Sequence, residues 1–296
     1  MKTETCVLPA PRQWVADLSA IVKPRISVLV LFTVAIGALL AERGTPDLTQ
    51  LAHTLIGVAL VAASSSALNQ LIERHSDALM RRTETRPLPS GRMSPAEVLF
   101  LGLALAVLGL GYMACTLRQP LAVWLTALTL VSYVLLYTPL KRHTTLNTLI
   151  GAVPGAMPPL IGWTSVTGRL DREAIALFLI LFVWQVPHFL AFAWIYRADY
   201  GRAGLRMLPV VDRDGGRTAR QMFAYAVTLG LVSLWPMMLG QAGVFYGIGA
   251  ALLGCYFVKS TWSFGREKSD ASARRVLHAS LIYLPAIYAL LLMFQT

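Results

Sequence analysis

The sequence has 296 residues, of which 56% are hydrophobic and only 14% are charged. Soluble domains carry about 25% charged residues, so this composition excludes an ordinary soluble protein and indicates a chain that lies largely within a lipid bilayer. The net charge of +11 would suit a nucleic-acid-binding protein, but the charge follows alternate loops between apolar segments. That distribution is evidence against nucleic acid as a partner.

Nine apolar segments are long enough to cross a bilayer, since a spanning helix needs roughly 20 apolar residues. In chain order they cover about 24–42, 50–70, 96–116, 119–139, 146–163, 174–195, 219–239, 244–263 and 276–294. The sequence therefore predicts an all-α integral membrane protein of nine transmembrane helices. We expect residues 1–296 to form one polytopic domain without a cleavable signal peptide.

Lys and Arg are concentrated in every second loop. With the N-terminus in the cytoplasm, 22 of the 26 basic residues lie on the cytoplasmic side, as the positive-inside rule requires. The other four are Arg43, Arg118, Arg169 and Arg172. We therefore expect a protein of the inner (cytoplasmic) membrane with an external C-terminus. The two longest cytoplasmic loops, about 71–95 and 196–218, are expected to cap the helices.

The second apolar segment ends in polar residues that share one side of a helix. Asn69, Glu73 and Asp77 are spaced four residues apart, so at about 100° per residue they lie on one helical face. Ionisable groups at a membrane boundary are costly and usually functional. Amide and carboxylate oxygens suit Mg²⁺, so we expect a metal site here. The alternative is a solvated helix end in which Arg74 and Arg81 pair with the acids.

Basic residues follow the second and fourth segments on the same side of the bilayer. Arg82 and Arg86 can each present a fork of N–H donors to phosphate oxygens. A metal site beside two arginines of this kind is the combination that binding of a diphosphate requires. Lys141 and Arg142 follow the fourth segment, and taken alone they would be explained as an anchor at the membrane surface.

The fifth and sixth segments contain prolines at positions that suit a central cavity. Pro154, Pro158, Pro159 and Pro187 lie inside apolar runs. Proline in a spanning helix frees backbone carbonyl groups, which are tolerated where they line a cavity or are bonded by neighbours. We therefore expect these helices to pack around a cavity rather than to face lipid.

Three motifs resemble those of the UbiA-type intramembrane prenyltransferases. The first is Asn-x-x-x-Glu-x-x-x-Asp at 69–77, followed by Met-x-Arg-Thr-x-x-Arg-Pro-Leu at 80–88. The second is Tyr-Thr-Pro-Leu-Lys-Arg at 137–142 with the Gly/Pro-rich segment after it. The third, Trp-Gln-x-Pro-His-Phe at 184–189, is the motif most typical of the haem farnesyltransferase branch of that family.

Two positions depart from the general pattern of the superfamily. Glu73 stands where Asp is usual, a variant that is familiar in the haem branch. Ile195 stands at the first carboxylate position of the second acidic motif, so only Asp199 remains there. The second departure weakens the expectation of two complete metal sites.

The resemblance implies a UbiA-type bundle of nine helices around a central cavity, with the cap loops on its cytoplasmic side. It implies transfer of a farnesyl group from farnesyl diphosphate to a vinyl group of haem B, with addition of water, giving haem O and diphosphate. Mg²⁺ is the implied cofactor, and haem B is a substrate rather than a bound cofactor. Membrane lipid and a haem A synthase are further expected partners.

The resemblance also implies roles for individual residues. The implied metal ligands are Asn69, Glu73, Asp77 and Asp199. The implied diphosphate ligands are Arg82, Arg86, Lys141 and Arg142. The implied catalytic residues are Asn69, Glu73, Asp77, Lys141 and Asp199.

Trp184, Gln185 and His188 are the expected haem-binding residues. Because Trp184 and His188 are four residues apart and Gln185 and His188 three apart, we expect all three side chains to present one surface. That surface would suit a porphyrin face, a propionate or the iron. The alternative is a polar patch that joins two helices by hydrogen bonds.

Three other functions are compatible with parts of the sequence. A UbiA-type enzyme with a quinone-precursor acceptor would lack the stretch 184–189. A secondary transporter would use the acids for coupling ions, but the Arg-Thr-x-x-Arg-Pro loop beside them argues against it. A non-catalytic assembly factor would keep its phenotype when the charge of Asp77 is neutralised.

Overall fold

The computed structural model describes residues 11–42 and 45–296, which are almost entirely helical. Nine of the described helices are long and apolar enough to cross a membrane. The helices are α1 (Pro11–Val22), α2 (Pro24–Ala41), α3 (Leu48–Asp77), α4 (Pro95–Thr116), α5 (Pro120–Leu140), α6 (Asn147–Thr167), α7 (Arg172–Ile195), α8 (Arg197–Arg202), α9 (Leu208–Val211), α10 (Gly216–Met238), α11 (Val244–Glu267) and α12 (Asp270–Met293). The nine spans are α2 to α7 and α10 to α12, one for each predicted segment, so the chain is a multi-pass membrane protein.

Helix α3 is longer than its apolar segment. Its 30 residues make it about 45 Å long at 1.5 Å per residue, whereas the hydrocarbon core is about 30 Å thick. The last turns, which carry Glu73 and Asp77, therefore extend beyond the apolar layer. The first residues of the predicted cap loop at about 71–95 are helical, because 71–77 continue α3 without a Gly or Pro to end it, in agreement with the predicted helical face.

The second predicted cap loop, about 196–218, also contains helix. It includes α8 and α9, and α10 already begins at Gly216. The short helices satisfy most backbone groups of this segment within the loop itself.

Side-chain caps define where several spans begin. The Asp47 side chain accepts hydrogen bonds from the N–H groups of Thr49 and Gln50, both at 3.0 Å, at the start of α3. Ser94 and Glu97 form a capping box at the start of α4. These contacts satisfy N–H groups that have no partner within their own helix.

Helices α6 and α7 are the most buried of the nine spans, and α6 packs closely against α2. A Cβ atom on Gly162 would lie 1.9 Å from the carbonyl oxygen of Val34, and one on Gly37 would lie 2.1 Å from that of Pro159. Small residues allow membrane helices to approach this closely. The Gly/Pro-rich segment therefore forms a central helix of the bundle, as its prolines predicted.

Helix α1 is an element that the hydropathy pattern did not predict. It packs against α3, where the side chains of Ser66 and Gln70 donate hydrogen bonds to the carbonyl of Ile21 at 2.8 and 2.7 Å. Arg92 also pairs with the buried Asp17 at 2.9 Å. A helical period of apolar residues after a proline was the available signal, but the segment is too polar to span.

The loops predicted to lie outside meet at one end of the bundle. Gln50, at the start of α3, donates a hydrogen bond to Ser165 near the end of α6. Gln295, at the C-terminus, donates to Leu40 near the end of α2 at 3.0 Å. The acids and most of the basic residues lie at the other end, and which end faces the cytoplasm remains a prediction from the charge distribution.

Candidate active site

Two partly buried ion pairs lie at the end of α3. Lys141 Nζ is 2.7 Å from Glu73 Oε1, and Arg86 Nη1 is 2.7 Å from Asp77 Oδ2. The Asp77 side chain is only 1% exposed. Taking charges out of water is costly unless they are paired, so each acid is stabilised by its cation. The partners are therefore not Arg74 and Arg81, which the alternative of a solvated helix end named.

Asn69, Glu73 and Asp77 share one face of α3, as their spacing predicted. Asn69 Nδ2 donates a hydrogen bond to Thr138 Oγ1 of α5 at 3.0 Å. In the part of the chain that the structure describes, no hydrogen bond reaches Asn69 Oδ1, Glu73 Oε2 or Asp77 Oδ1. Three hard oxygen donors therefore remain available, and together with waters and phosphate oxygens they fit the coordination of Mg²⁺.

Asp199 is not gathered with the other predicted metal ligands. It lies on α8 and forms an ion pair with Arg202. Across residues 11–42 and 45–296, no three His, Cys, Asp or Glu side chains converge as a metal cluster would require. A metal role for Asp199 therefore remains a prediction that requires it to leave Arg202.

The end of α5 positions Lys141 against Glu73. Residues Ser132–Tyr137 form a π-helix, a local widening often found at functional sites. Lys141 Nζ lies 4.4 Å from the centre of the Tyr137 ring, and this ring occupies the space that a Cβ on Gly151 would need. Burial opposes the charge of Lys141, but Tyr137 and Glu73 outweigh it and hold the Lys141 pKa well above its usual value.

Lys23 is a further cation near the site, and it is absent from the predicted diphosphate ligands. Its φ of 49° puts it in the left-handed region, which is uncommon for a non-glycine residue and is found at functional sites. Burial and then the charge of Arg86 lower the Lys23 pKa to about 8, against the opposing effect of Glu73 and Asp77. Lys23 is therefore a third cation within electrostatic reach of the two acids.

The remaining predicted diphosphate ligands, Arg82 and Arg142, contact different elements. Arg142 Nη2 is 3.4 Å from Ser76 Oγ. The Arg82 guanidinium lies over the rings of Phe192 and Tyr196, at 5.6 and 5.4 Å from their centres. Such stacking holds a guanidinium in place while leaving its edge available to an anion.

A cavity of about 210 Å³ opens beside the Glu73–Lys141 pair. Its lining residues are Ile72, Glu73, Ser76, Thr138, Pro139, Arg142, His143 and Leu205. The loop before α9 closes over it, since the Arg206 N–H donates to the Lys141 carbonyl at 2.9 Å and Asn147 Nδ2 donates to the Arg206 carbonyl at 3.1 Å. Both polar and apolar groups thus line the space next to the acids.

The predicted haem surface is divided between two neighbouring helices. The rings of Trp184 and His188 stack with their centres 4.8 Å apart, as predicted. Both face α12, where Trp184 Nε1 donates to the Ser280 carbonyl at 2.8 Å. Gln185 instead packs against α6, where its Oε1 occupies the space that a Cβ on Gly155 would need. The expectation of one common surface is wrong, because one residue along a helix turns a side chain by about 100°.

His188 is held by a hydrogen-bonding group of α12. Its Nδ1 lies 2.8 Å from Ser280 Oγ, and Ser280 Oγ also lies 2.6 Å from the Leu277 carbonyl. When Ser280 donates to that carbonyl, it accepts from His188 Nδ1, and Nε2 then carries the lone pair. A partner that orients the imidazole in this way is typical of metal-ligating histidines.

The fold and the site together define a class of protein. A bundle of nine membrane helices presents two paired acids, an amide and several cations at one end, which is an arrangement for binding a polyanion at the membrane surface. Residues 30–282 match the UbiA prenyltransferase family, and on that match the chain belongs to this family.

Relatives of high identity cover nearly the whole chain. The Protoheme IX farnesyltransferase of Solibacter usitatus is 45% identical, with 94% of this chain and 98% of the relative covered. The Protoheme IX farnesyltransferase of Koribacter versatilis is 42% identical over the full length of both chains. Within the UbiA family, the chain is therefore similar to the protoheme IX farnesyltransferases.

Solved structures share the fold at low identity. A digeranylgeranylglyceryl phosphate synthase superposes with a TM-score of 0.80 at 17% identity, with 95% of this chain and 98% of that chain covered. A UbiA homologue from Archaeoglobus fulgidus bound to DMAPP and Mg²⁺ superposes with a TM-score of 0.63 at 13% identity, covering 93% and 99%. The UbiA-type bundle predicted from the motifs is confirmed.

Proposed function

We propose that the chain is a protohaem farnesyltransferase. It transfers the farnesyl group of farnesyl diphosphate to a vinyl group of haem B, with addition of water, and releases haem O and diphosphate. The observation that carries the proposal is the cluster at the end of α3, in which Glu73 and Asp77 are each held by a cation beside a cavity. The high-identity relatives, which bear the name protoheme IX farnesyltransferase, support haem as the acceptor.

The cations of the cluster bind the diphosphate. Arg86 and Lys141 exchange their carboxylate partners for phosphate oxygens, and Arg82, Arg142 and Lys23 add positive charge around the same group. Their charge stabilises the leaving diphosphate as the allylic C–O bond breaks. Because the exchange of partners takes place when the diphosphate binds, the cations are already on the phosphate oxygens when the bond breaks.

Asn69, Glu73 and Asp77 are the proposed Mg²⁺ ligands, through the oxygens that receive no hydrogen bond from the described residues. Asp199 remains in the proposed set as the ligand that must first leave Arg202. The chemistry that a bound Mg²⁺ supplies is neutralisation of the leaving diphosphate. The carboxylates of α3 would hold the metal once their cations contact the diphosphate.

His188 and Trp184 are the proposed contacts to haem. The His188 Nε2 lone pair suits an axial bond to the iron, while Ser280 holds Nδ1. Gln185 remains in the proposed haem set, but its contact with α6 places its amide on another side of α7. The apolar helices around these residues exclude water that would otherwise capture the farnesyl cation.

The proposal also covers the location of the protein in the membrane and the enzyme that uses its product. We propose an inner-membrane protein of one polytopic domain, with a cytoplasmic N-terminus, an external C-terminus and the segments after α3 and α7 as the cap. A haem A synthase is the proposed partner, because an enzyme that oxidises haem O would consume the product.

Purified protein, haem B, Mg²⁺ and farnesyl diphosphate test the function directly. We expect haem O to form in equal amount to the released diphosphate, with the haem products separated by chromatography. Diphosphate release with a quinone precursor but not with haem B would instead assign the other UbiA-type acceptor. Ion-coupled transport without diphosphate release would assign a transporter.

A further inference from the structure

A second cavity, of about 350 Å³, lies where α10 begins and α11 ends, away from the acids of α3. Its lining includes three cations, Arg220, Arg266 and Lys268, and two aromatic residues, Phe223 and Trp262. We call this the α10–α11 groove. Helices α10 and α11 pack chiefly against each other and against α7 and α12, so the groove belongs to a different side of the bundle from the diphosphate cluster.

The three cations of the groove are not neutralised by nearby acids. Within the described residues, none of Arg220, Arg266 and Lys268 forms an ion pair. Two acids close by in sequence are paired elsewhere: Glu267 with Arg275 at 2.5 Å, and Asp270 with Arg197 at 2.6 Å. A third acid, Asp214, lies at the edge of the groove, where it accepts a hydrogen bond from the N–H of the lining residue Gly216 at 3.2 Å. The groove therefore presents three cations beside one carboxylate, an excess of positive charge that suits an anion.

The charged and the aromatic residues lie at different depths in the membrane. Phe223 is three residues below Arg220 on α10, and Trp262 is four residues below Arg266 on α11, which at 1.5 Å per residue places the rings about 5 Å deeper. The two ring centres are 5.5 Å apart, and the Trp262 side chain is largely exposed. A ligand that fits both levels carries an anionic head and an apolar body.

We propose that the α10–α11 groove binds an anionic phospholipid of the leaflet at this end of the bundle. The phosphate of the headgroup contacts Arg220, Arg266 and Lys268, and the first part of an acyl chain lies along Phe223 and Trp262. Basic pockets between membrane helices on the cytoplasmic side recognise such headgroups, and aromatic side chains are favoured at the depth where head and chain meet. A free phosphate would use the cations alone and would leave the exposed Trp262 ring in contact with bulk lipid.

The test compares lipids of equal chain length in detergent micelles. Wild-type protein is titrated with phosphatidylglycerol and with phosphatidylcholine, and bound lipid is counted by native mass spectrometry while thermal stability is followed. We expect saturable binding and a rise in Tm with phosphatidylglycerol only. The double variant Arg220→Gln/Arg266→Gln should bind it at least roughly tenfold more weakly, and Arg220→Lys/Arg266→Lys should recover most of the affinity.

The matched control is Arg213→Gln/Arg274→Gln, which removes the same charge at the same end of the bundle but outside the groove. We expect it to bind phosphatidylglycerol within roughly twofold of the wild type. If both double variants lost affinity for phosphatidylglycerol equally, the proposal would be overturned in favour of unspecific attraction between the lipid and the basic end of the bundle. Competition by inorganic phosphate at equal strength, or loss of haem binding in the groove variant, would overturn it in favour of a free-anion or a haem site. Equal binding of the two lipids by wild-type protein would overturn it without any variant.

Discussion

At the scale of single residues, the site depends on exchange of partners. Glu73 and Asp77 are stable near the membrane only because Lys141 and Arg86 neutralise them. The same cations suit a diphosphate and the same carboxylates suit a metal, so one set of side chains serves both the free protein and the proposed complex. This double use of the same side chains explains why charges are tolerated at this position.

Neutralising either acid tests the proposed metal site. Asp77→Asn and Glu73→Gln should each reduce turnover by about a thousandfold or more, because loss of a metal ligand removes several kcal/mol of transition-state stabilisation. Haem O formation with saturating substrates is the measurement, and insertion into the membrane should persist. Glu84→Gln, an exposed acid in the loop after α3, is the control and should retain activity. Near-normal turnover in either variant would remove that residue from the metal site.

Substitution of His188 separates a haem contact from a purely structural one. His188→Ala should lose haem affinity or turnover while binding of farnesyl diphosphate with Mg²⁺ persists, because only the haem contact uses Nε2. Ser280→Ala keeps the imidazole but removes the partner of Nδ1. It should lower haem affinity or turnover by about 10-fold to 100-fold, as loss of an orienting partner usually does. If His188 only joins α7 to α12, thermal stability should fall and both substrates should be affected alike. A stable His188→Ala protein with unchanged haem binding would contradict the haem role.

At the scale of helices, close backbone approach decides where the bundle is rigid. The contact between α2 and α6 depends on reciprocal glycines at Gly37 and Gly162. The Pro/Gly-rich α6 therefore serves as a central packing element rather than as a flexible one. Its Gly151 also leaves room for Tyr137, which links the packing of α6 to the position of Lys141.

A single methyl group added at this contact should be costly. Gly162→Ala puts a Cβ atom 1.9 Å from the Val34 carbonyl oxygen, and overpacking of this kind destabilises by about 1–3 kcal/mol. We expect a lower Tm in detergent, measured by thermal unfolding. Gly111→Ala on α4 is the matched control, because a Cβ there meets nothing within 4 Å. Its Tm should stay the same or rise with the better helix propensity of Ala. Equal effects of the two changes would mean that the close contact does not limit stability.

At the scale of the whole molecule, the ends of the bundle differ in charge and in chemistry. The acids of α3, the cap segments and the α10–α11 groove lie at the basic end. The short loops meet at the other end, together with the C-terminus. A protein arranged in this way receives charged substrates from one side of the membrane.

Fusion reporters test which side that is. A reporter placed after Arg86 or Arg206 should score as cytoplasmic, and one at Gly168 or after the final residue as external. The reason is the excess of Lys and Arg in the loops at the basic end, which favours cytoplasmic retention. Enzymatic activity of paired cytoplasmic and periplasmic reporters is the measurement. A cytoplasmic C-terminus would contradict the proposed topology.

Much of the molecule could be predicted from the sequence because the relevant physics is local. Hydropathy over about 20 residues located the nine spans. The four-residue spacing placed Asn69, Glu73 and Asp77 on one helical face, since 3.6 residues make a turn. The motifs indicated the family. The presence of α1 was missed, because a polar helix outside the apolar layer leaves no hydropathy signal.

Only the tertiary structure decided which side chains meet. It paired Lys141 with Glu73, 68 residues away, brought Lys23 to the acids, and turned Trp184 and Gln185 towards different helices. The physical reason is that membrane helices are apolar on all sides, so no hydrophobic stripe shows which face will be buried. Association in lipid instead depends on close packing of small residues and on hydrogen bonds between helices, and these exist only once the helices are side by side.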